Sequence, residues 1–235
     1  MTRRYYVPDL PRSGGQVQLP DVEAIHALKV MRISVGDQIV LFDGQGNQSD
    51  AVIANIGRNE CACTAEPVTP VDRELKRSLH LAIALPKADR GREMIQRLTE
   101  IGASKITPIV AERTQRPPTE STIEKLRRAV IESCKQCGRN RLMEIGPITS
   151  SADFFRAHHP GTCWIAHPYD QAIRIGFADS STDLVAAIGP EGGFTDNEVK
   201  LAIEYGFEAI NLGSRNYRVE TAAAVIASVA SVGEA

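Results

Sequence analysis

Residues 186–198 read AAIGPEGGFTDNE. An apolar run ends at Gly189-Pro190-Glu191-Gly192-Gly193, and a helix begins straight after it. Thr195-Asp196-Asn197-Glu198 has the T-x-x-E spacing of a capping box, in which the Thr hydroxyl accepts from the Glu N–H and the Glu carboxylate accepts from the Thr N–H. The helix start is therefore satisfied by its own side chains, which argues against a bound phosphate there. No Lys-Ser/Thr follows the glycines, so the loop is not a P-loop. Strand, glycine bend and capped helix form one step of an α/β fold, and the flanking residues follow the same pattern.

Upstream, SLHLAIALP (78–86) and KITPIV (105–110) read as strands, with DRGREMIQRLTEIGA (89–103) between them as a helix. Met94, Leu98 and Ile101 share one face of that helix, and Gly102 stops it. Residues 119–138 form a long helix with Ile123, Leu126, Val130 and Cys134 in register. TCWIAH (162–167), DLVAAIG (183–189) and EAINLG (208–213) are strands; TDNEVKLAIEYG and VETAAAVIASVAS are helices. Near-continuous apolar strands alternating with amphipathic helices predict a parallel sheet covered on both faces.

Residues 1–70 read differently. Strands at Ile39–Phe42, Ala51–Ile56 and Cys61–Glu66 are separated by Asp-Gly and Asn turns, which predicts a small antiparallel sheet or barrel. DVEAIHALKVM reads as a short helix with Ile25, Leu28 and Met31 on one face. The proline-rich, charged stretch at 67–78 reads as a linker, dividing the chain into 1–72 and 73–235.

At 235 residues and 43% hydrophobic, the chain has room for one large or two modest cores. No apolar run approaches about 20 residues, so no membrane span is expected. MTRRYYVPDLPRSGG lacks the apolar core of a secretory signal, and the cytoplasm is the expected compartment. Five cysteines at irregular spacing argue against a disulfide framework. Cys134-x-x-Cys137 has no second ligand pair at zinc spacing, so no metal is expected and the two thiols read as inert. Net charge is −2, but residues 105–141 carry nine Lys/Arg against four Glu, while 150–235 carry five against eleven Asp/Glu. Such asymmetry permits a basic face for a polyanion.

In open parallel sheets ligands bind beyond the carboxyl ends of the strands. Three ends qualify: Ala166-His167-Pro168, Gly189–Gly193 and Leu212-Gly213-Ser214. The last opens NLGSRNYRVETAAA, another glycine exit into a helix of small residues. Arg215 and Arg218 are the only basic residues after Lys200.

The two loops IGPEGGFTDNE and LGSRNYRVETA, in this order, resemble the C-terminal signature of the SPOUT RNA methyltransferases, and within them the RsmE family. HALKVMRISVGDQIVLFDGQG, RLTEIGASKITPIVAERTQR and ESCKQCGR extend the likeness over nearly the whole chain. Asn216-Tyr217 stands where the family usually has Ile-Leu, Lys135 where an acid is common, and Leu142-Met143 where an apolar-Pro pair is common.

The resemblance implies a PUA-like RNA-binding β domain, then a parallel-sheet methyltransferase domain with a trefoil knot that holds S-adenosylmethionine (SAM). It implies a homodimer whose partner subunit completes each site. The substrate would be 16S ribosomal RNA in the small subunit, methylated at N3 of uridine 1498. Carried onto this chain, Gly189, Pro190, Glu191, Gly192, Gly193, Leu212 and Gly213 would face SAM, mostly with main chain. His167 would stand beside them, and Thr221 would close the pocket from the last helix. Arg218 would be catalytic, stabilising charge on the uracil oxygens. Glu191 and Glu220 are candidates for a base by position. Arg3, Arg4, His26, Arg32, Arg113, Arg116 and Arg139 are expected at RNA phosphates. A ribose 2′-O-methyltransferase of the same superfamily, an RNA-binding protein without catalysis and a CxxC redox protein are the rival readings.

Overall fold

The computed structural model describes residues 3–168, 173–174 and 182–232. The chain forms two compact units, one running to Glu74 and including Ile131–Leu142, the other comprising Leu75–Val130 and the residues from Met143 onward.

The first unit is a six-stranded sheet of β1 (Arg4–Tyr6), β2 (Gly15–Gln18), β3 (Gln38–Phe42), β4 (Asn47–Ile56), β5 (Cys61–Ala65) and β6 (Thr69–Pro70), with helix α1 (Asp21–Lys29). The strand order is β1-β3-β4-β5-β2, with β6 on β4. The expected hairpins β3–β4 and β4–β5 are antiparallel, as is β2–β5. β1, a strand of three residues, pairs parallel with β3, a geometry open to it because β2 and α1 supply the long crossover. β6 gives the expected linker a ladder of its own against β4.

α1 does not bury the face its apolar residues predict. Ile25 and Met31 are exposed, while Glu23, Ala24 and Ala27 face inward. Glu23 can do so because Lys135, also buried, lies 3.0 Å from its carboxylate. An ion pair formed 112 residues away in sequence overrides the local hydrophobic pattern.

The second unit carries β7 (Leu79–Ile83), α2 (Ala88–Ile101) and β8 (Lys105–Val110). Helix α3 (Glu120–Cys137) begins in this unit and ends in the first. There follow β9 (Glu144–Ile145), β10 (Thr149–Ser150), α4 (Ser151–Arg156), β11 (Thr162–Ala166), β12 (Ile173–Arg174), β13 (Leu184–Ile188), α5 (Asp196–Glu204), β14 (Glu208–Asn211) and α6 (Val219–Ser231). The sheet order is β10-β8-β7-β13-β11-β14-β12, with β9 also on β8, and every pairing is parallel. β13 is buried at all five positions, as a strand covered on both faces must be.

One face of this sheet packs on α4 and α5 through Phe154, Phe155, Val199 and Ala202, with Phe207 from the turn after α5, against Ile165, Val185 and Ala187. On the other face α2 packs on α6, and α6 lies against β7 and β13. Ala222, Ala223, Ala227 and Ala230 make that face of α6 thin enough for close approach. The expected punctuation of the helices is present: Gly102 caps α2 in the left-handed conformation at φ 108°, and Thr195 and Glu198 form both bonds of the capping box.

Candidate active site

The carboxyl ends of β11, β13 and β14 converge on a cavity of about 390 Å³. Its wall takes in all three strand exits singled out in the sequence, at Ala166-His167-Pro168, Gly189 to Gly193 and Leu212-Gly213 without Ser214, and adds Ile188, Ile210 and Asn211 from the strand ends. Arg215, Asn216 and Tyr217 close one side, with Val219 and Ala222 from α6. The volume lies within the roughly 300–1,000 Å³ of small-molecule sites.

The glycine loop is shaped by three local constraints. The Gly193 N–H donates to the Pro190 carbonyl at 2.7 Å, closing a turn that leaves Gly193 at φ +69°. That is a conformation glycine adopts without steric cost. At Gly189 a β-carbon would lie 3.1 Å from the Phe194 amide nitrogen and ring. Phe194, whose role the sequence reading did not see, is fully buried against Phe155 with ring centroids 5.6 Å apart. The aromatic residue after the glycines thus pins the loop to the core, and Gly189 makes room for it.

Two cations brace the loop, Arg113 from within the cavity wall and Arg90 from outside it. Arg113 donates to the Gly192 carbonyl at 2.8 Å and the Phe194 carbonyl at 3.3 Å. Arg113 is itself exposed, so it holds the loop from the solvent side while its guanidinium stays open to an anion. Arg90, at the start of α2, donates to Glu191 at 3.0 Å and to Glu220 at 3.3 Å and 3.4 Å. Both carboxylates raised as possible bases are occupied by one guanidinium, which favours bracing over proton abstraction.

Glu198 does more than cap α5. Its carboxylate also accepts from the Ser151 hydroxyl at 2.6 Å and from the Glu112 N–H at 3.0 Å. It therefore joins α5, α4 and the loop that carries Arg113. His167 lines the cavity, and its imidazole is held below its ordinary pKa by burial, with Arg113 adding to the effect and Asp196 opposing it. A neutral ring is thus favoured at the pocket wall.

Arg218 and Thr221 are exposed and lie outside the cavity wall, where Val219 and Ala222 stand instead. Residues three apart share a helix face, so 219 and 222 form one stripe and 218 and 221 the next. Within this chain the closure expected of Thr221 is made by Val219 and Ala222. The Arg218 carbonyl starts α6 by accepting from Thr221 and Ala222.

The residues expected at RNA phosphates divide. Arg139 is buried and forms a fork with Glu74, with Nε 2.9 Å from one oxygen and 3.0 Å from the other, so it is withdrawn from solvent. Arg4 bonds Gln48 and Asn140 and lies over the Phe42 ring at 5.2 Å. Arg3 pairs with Asp37. His26 sits 3.3 Å from the Lys135 ammonium and, with burial as the larger cause, is held below its usual pKa. Arg32 and Arg116 are exposed. Of the CxxC pair, Cys134 is buried with its thiol pushed up to about 12, mainly by burial. Such a thiol is a poor redox nucleophile. Among the described residues no three His, Cys, Asp or Glu side chains are grouped to hold a metal ion, and no helix is long and apolar enough to cross a membrane.

A parallel α/β unit with a glycine-walled pocket at its strand ends, preceded by a small β unit, defines a two-part α/β ligand-binding protein. Residues 73–231 match the RNA methyltransferase domain family, and residues 19–66 match the RNA methyltransferase PUA domain. Ribosomal RNA small subunit methyltransferase E of Synechocystis is 31% identical over 217 residues, covering 89% of this chain and 70% of the relative. The protein of the same name from Rickettsia conorii is 29% identical, covering 97% and 94%. Among solved structures, a methyltransferase from Legionella pneumophila in complex with SAM superposes with a TM-score of 0.92 at 30% identity, covering 99% of this chain and 98% of that one. Ribosomal RNA small subunit methyltransferase E from Neisseria gonorrhoeae, bound to SAM, gives 0.87 at 28% identity, covering 97% and 96%. The chain belongs to the RNA methyltransferase family, in its small subunit methyltransferase E branch.

Proposed function

We propose that this chain methylates 16S ribosomal RNA of the small subunit in the cytoplasm, using SAM, at N3 of a uridine. The observation that carries the reading is the glycine-walled pocket at the ends of β11, β13 and β14, in a fold shared with two SAM-bound methyltransferases. The wall suits the cofactor. It offers main chain at Gly189 to Gly193 and at Leu212-Gly213, which can meet the donor and acceptor edge of an adenine, and apolar surface at Ile188, Ile210 and Val219. Bound there, SAM supplies an electrophilic methyl group on a sulfonium.

The remaining chemistry falls to the chain. Uracil N3 must give up its proton, to solvent as the base enters the site, and negative charge then spreads over O2 and O4. A cation beside those oxygens stabilises the charge as it develops, and Arg218, the exposed N-cap residue of α6, is the residue assigned to it. With Glu191 and Glu220 both held by Arg90, positioning and exclusion of water supply much of the rate. N3 lies on the pairing edge of the base, so the nucleotide must be splayed out of its stack. Arg32, Arg113 and Arg116, all exposed, are the foremost candidates for phosphate contact, with the half-buried Arg3, Arg4 and His26 behind them, and the first unit is the proposed RNA-binding part. The chain is proposed to be knotted and to work as a homodimer; the exposure of Arg218 and Thr221 outside the single-chain cavity supports a site completed by a second copy.

The test is methylation of assembled small subunits and of naked rRNA, with the product nucleoside mapped. The expected product is 3-methyluridine; a ribose-methylated nucleotide would replace the reading with its 2′-O rival. Calorimetry that detects no SAM binding would leave an RNA-binding protein without catalysis. Arg218→Ala is expected to keep SAM affinity within about twofold while turnover falls on the order of 100-fold. Turnover near wild type would remove Arg218 from the chemistry.

A further inference from the structure

Glu191 is the acidic residue in the cavity wall, and its side chain is 57% exposed. Glu220 lies in the first turn of α6, next to the wall residue Val219, and its side chain is 11% exposed. One belongs to the glycine loop and the other to the helix that supplies Val219 and Ala222 to the wall. The Arg90 guanidinium reaches both, through Nη2 to Glu191 and Nη1 to Glu220. Arg90 is in neither loop: it lies 101 residues before the first and 130 before the second. Its helix is firmly seated, with Met94, Ile95 and Leu98 almost wholly buried, and α2 packs directly on α6. Groups that set a binding geometry act best from such rigid elements.

Two carboxylates within 3.4 Å of one guanidinium are necessarily close to each other. Without the cation they repel, and Glu191, the more exposed of the two side chains, is the one with more room to yield. A planar fork can serve two carboxylates at once, which a lysine ammonium does less well. The contact that joins the two halves of the pocket is therefore a shared counter-charge.

Resting on the reading of this pocket as a SAM site, we propose that Arg90 is a positioning residue that fixes the spacing of the glycine loop and α6 by neutralising Glu191 and Glu220 together. Removing it leaves two like charges that spread the pocket, and removing one of those charges restores part of the fit.

The test compares SAM affinity by calorimetry, and turnover on assembled small subunits, in wild type, Arg90→Ala, Arg90→Lys, Glu191→Gln and the double variant Arg90→Ala/Glu191→Gln. Expected is a Kd about tenfold weaker in Arg90→Ala and intermediate in Arg90→Lys. The double variant should bind SAM more tightly than Arg90→Ala, with Glu191→Gln as the single-variant reference that closes the cycle. That recovery is the signature of relieved repulsion, which a general loss of packing would not produce. Wild-type affinity and turnover in Arg90→Ala, or a double variant no better than the single one, overturns the proposal. If Arg90→Ala does not fold, Arg90→Lys decides: affinity equal to wild type overturns the proposal, and a several-fold loss upholds it. A wild-type chain that binds no SAM overturns the SAM reading itself, and the proposal with it.

Discussion

His80 lies on β7, with its Nε2 2.8 Å from the Thr107 hydroxyl and its ring edge-on to Phe154 at 5.5 Å. Burial, with Lys105 and His159 adding to it, pushes its pKa down to about 4 from an ordinary 6.5. The unfolded chain therefore takes up a proton at His80 between those values while the folded chain does not. Stability from this residue is fully present above pH 6.5 and is lost as pH falls toward 4. The lost contribution is on the order of 3 kcal/mol at most. Glu23, whose pKa burial raises against the opposing pull of Lys135, works in the other direction at the acid end of that window. Urea midpoints of wild type and His80→Gln, measured from pH 7 to pH 4, check the residue. The Gln variant should lose less stability over that range, and parallel curves would mean that the proton is taken up elsewhere.

At the scale of elements, the strand exits and helix stops were legible because they depend on neighbours within a few residues. The T-x-x-E box needs only Thr195 and Glu198, and the left-handed cap of α2 needs only Gly102. The pocket followed from strand ends alone, since a parallel sheet puts them all on one edge. What holds the pocket was not legible. Arg90 meets Glu191 and Glu220 across more than a hundred residues, and Arg113 meets the Gly192 carbonyl across 79. Charged residues at such separations carry no local period. The glycine loop tests the local side of this account. Gly189→Ala places a β-carbon 3.1 Å from the Phe194 backbone and ring, and Phe194 is fully buried and cannot swing away. Loss of stability of about 1–3 kcal/mol is expected, together with weaker SAM binding, read by thermal melting and calorimetry. An alanine variant that melts and binds like wild type would show that Phe194 does not hold the loop.

At the scale of the molecule, the division read from composition at residues 72 and 73 describes a chain that crosses once. The compact units require it to cross three times, because Ile131–Leu142 belongs with the residues up to Glu74. That returning segment supplies charge and hydrogen bonds the first unit lacks. Lys135 reaches the buried Glu23 and stands 5.8 Å over the Tyr5 ring. Arg139 clasps Glu74, Asn140 bonds Gln48 at 3.2 Å, and the Gly46 N–H donates to the Asn140 carbonyl at 3.0 Å. A fragment ending at residue 74 keeps every strand of the sheet but buries Glu23 without its counter-ion. Stripping the partner from a buried ion pair costs about 3–5 kcal/mol, and a domain this small has little more than about 5 kcal/mol in total. The fragment 1–74 is therefore expected to be largely unfolded by circular dichroism and amide exchange. The same fragment joined through a short glycine linker to residues 131–142 should recover protected strands. If 1–74 alone shows a cooperative melt like that of the full chain, the returning segment is a passenger on the first unit.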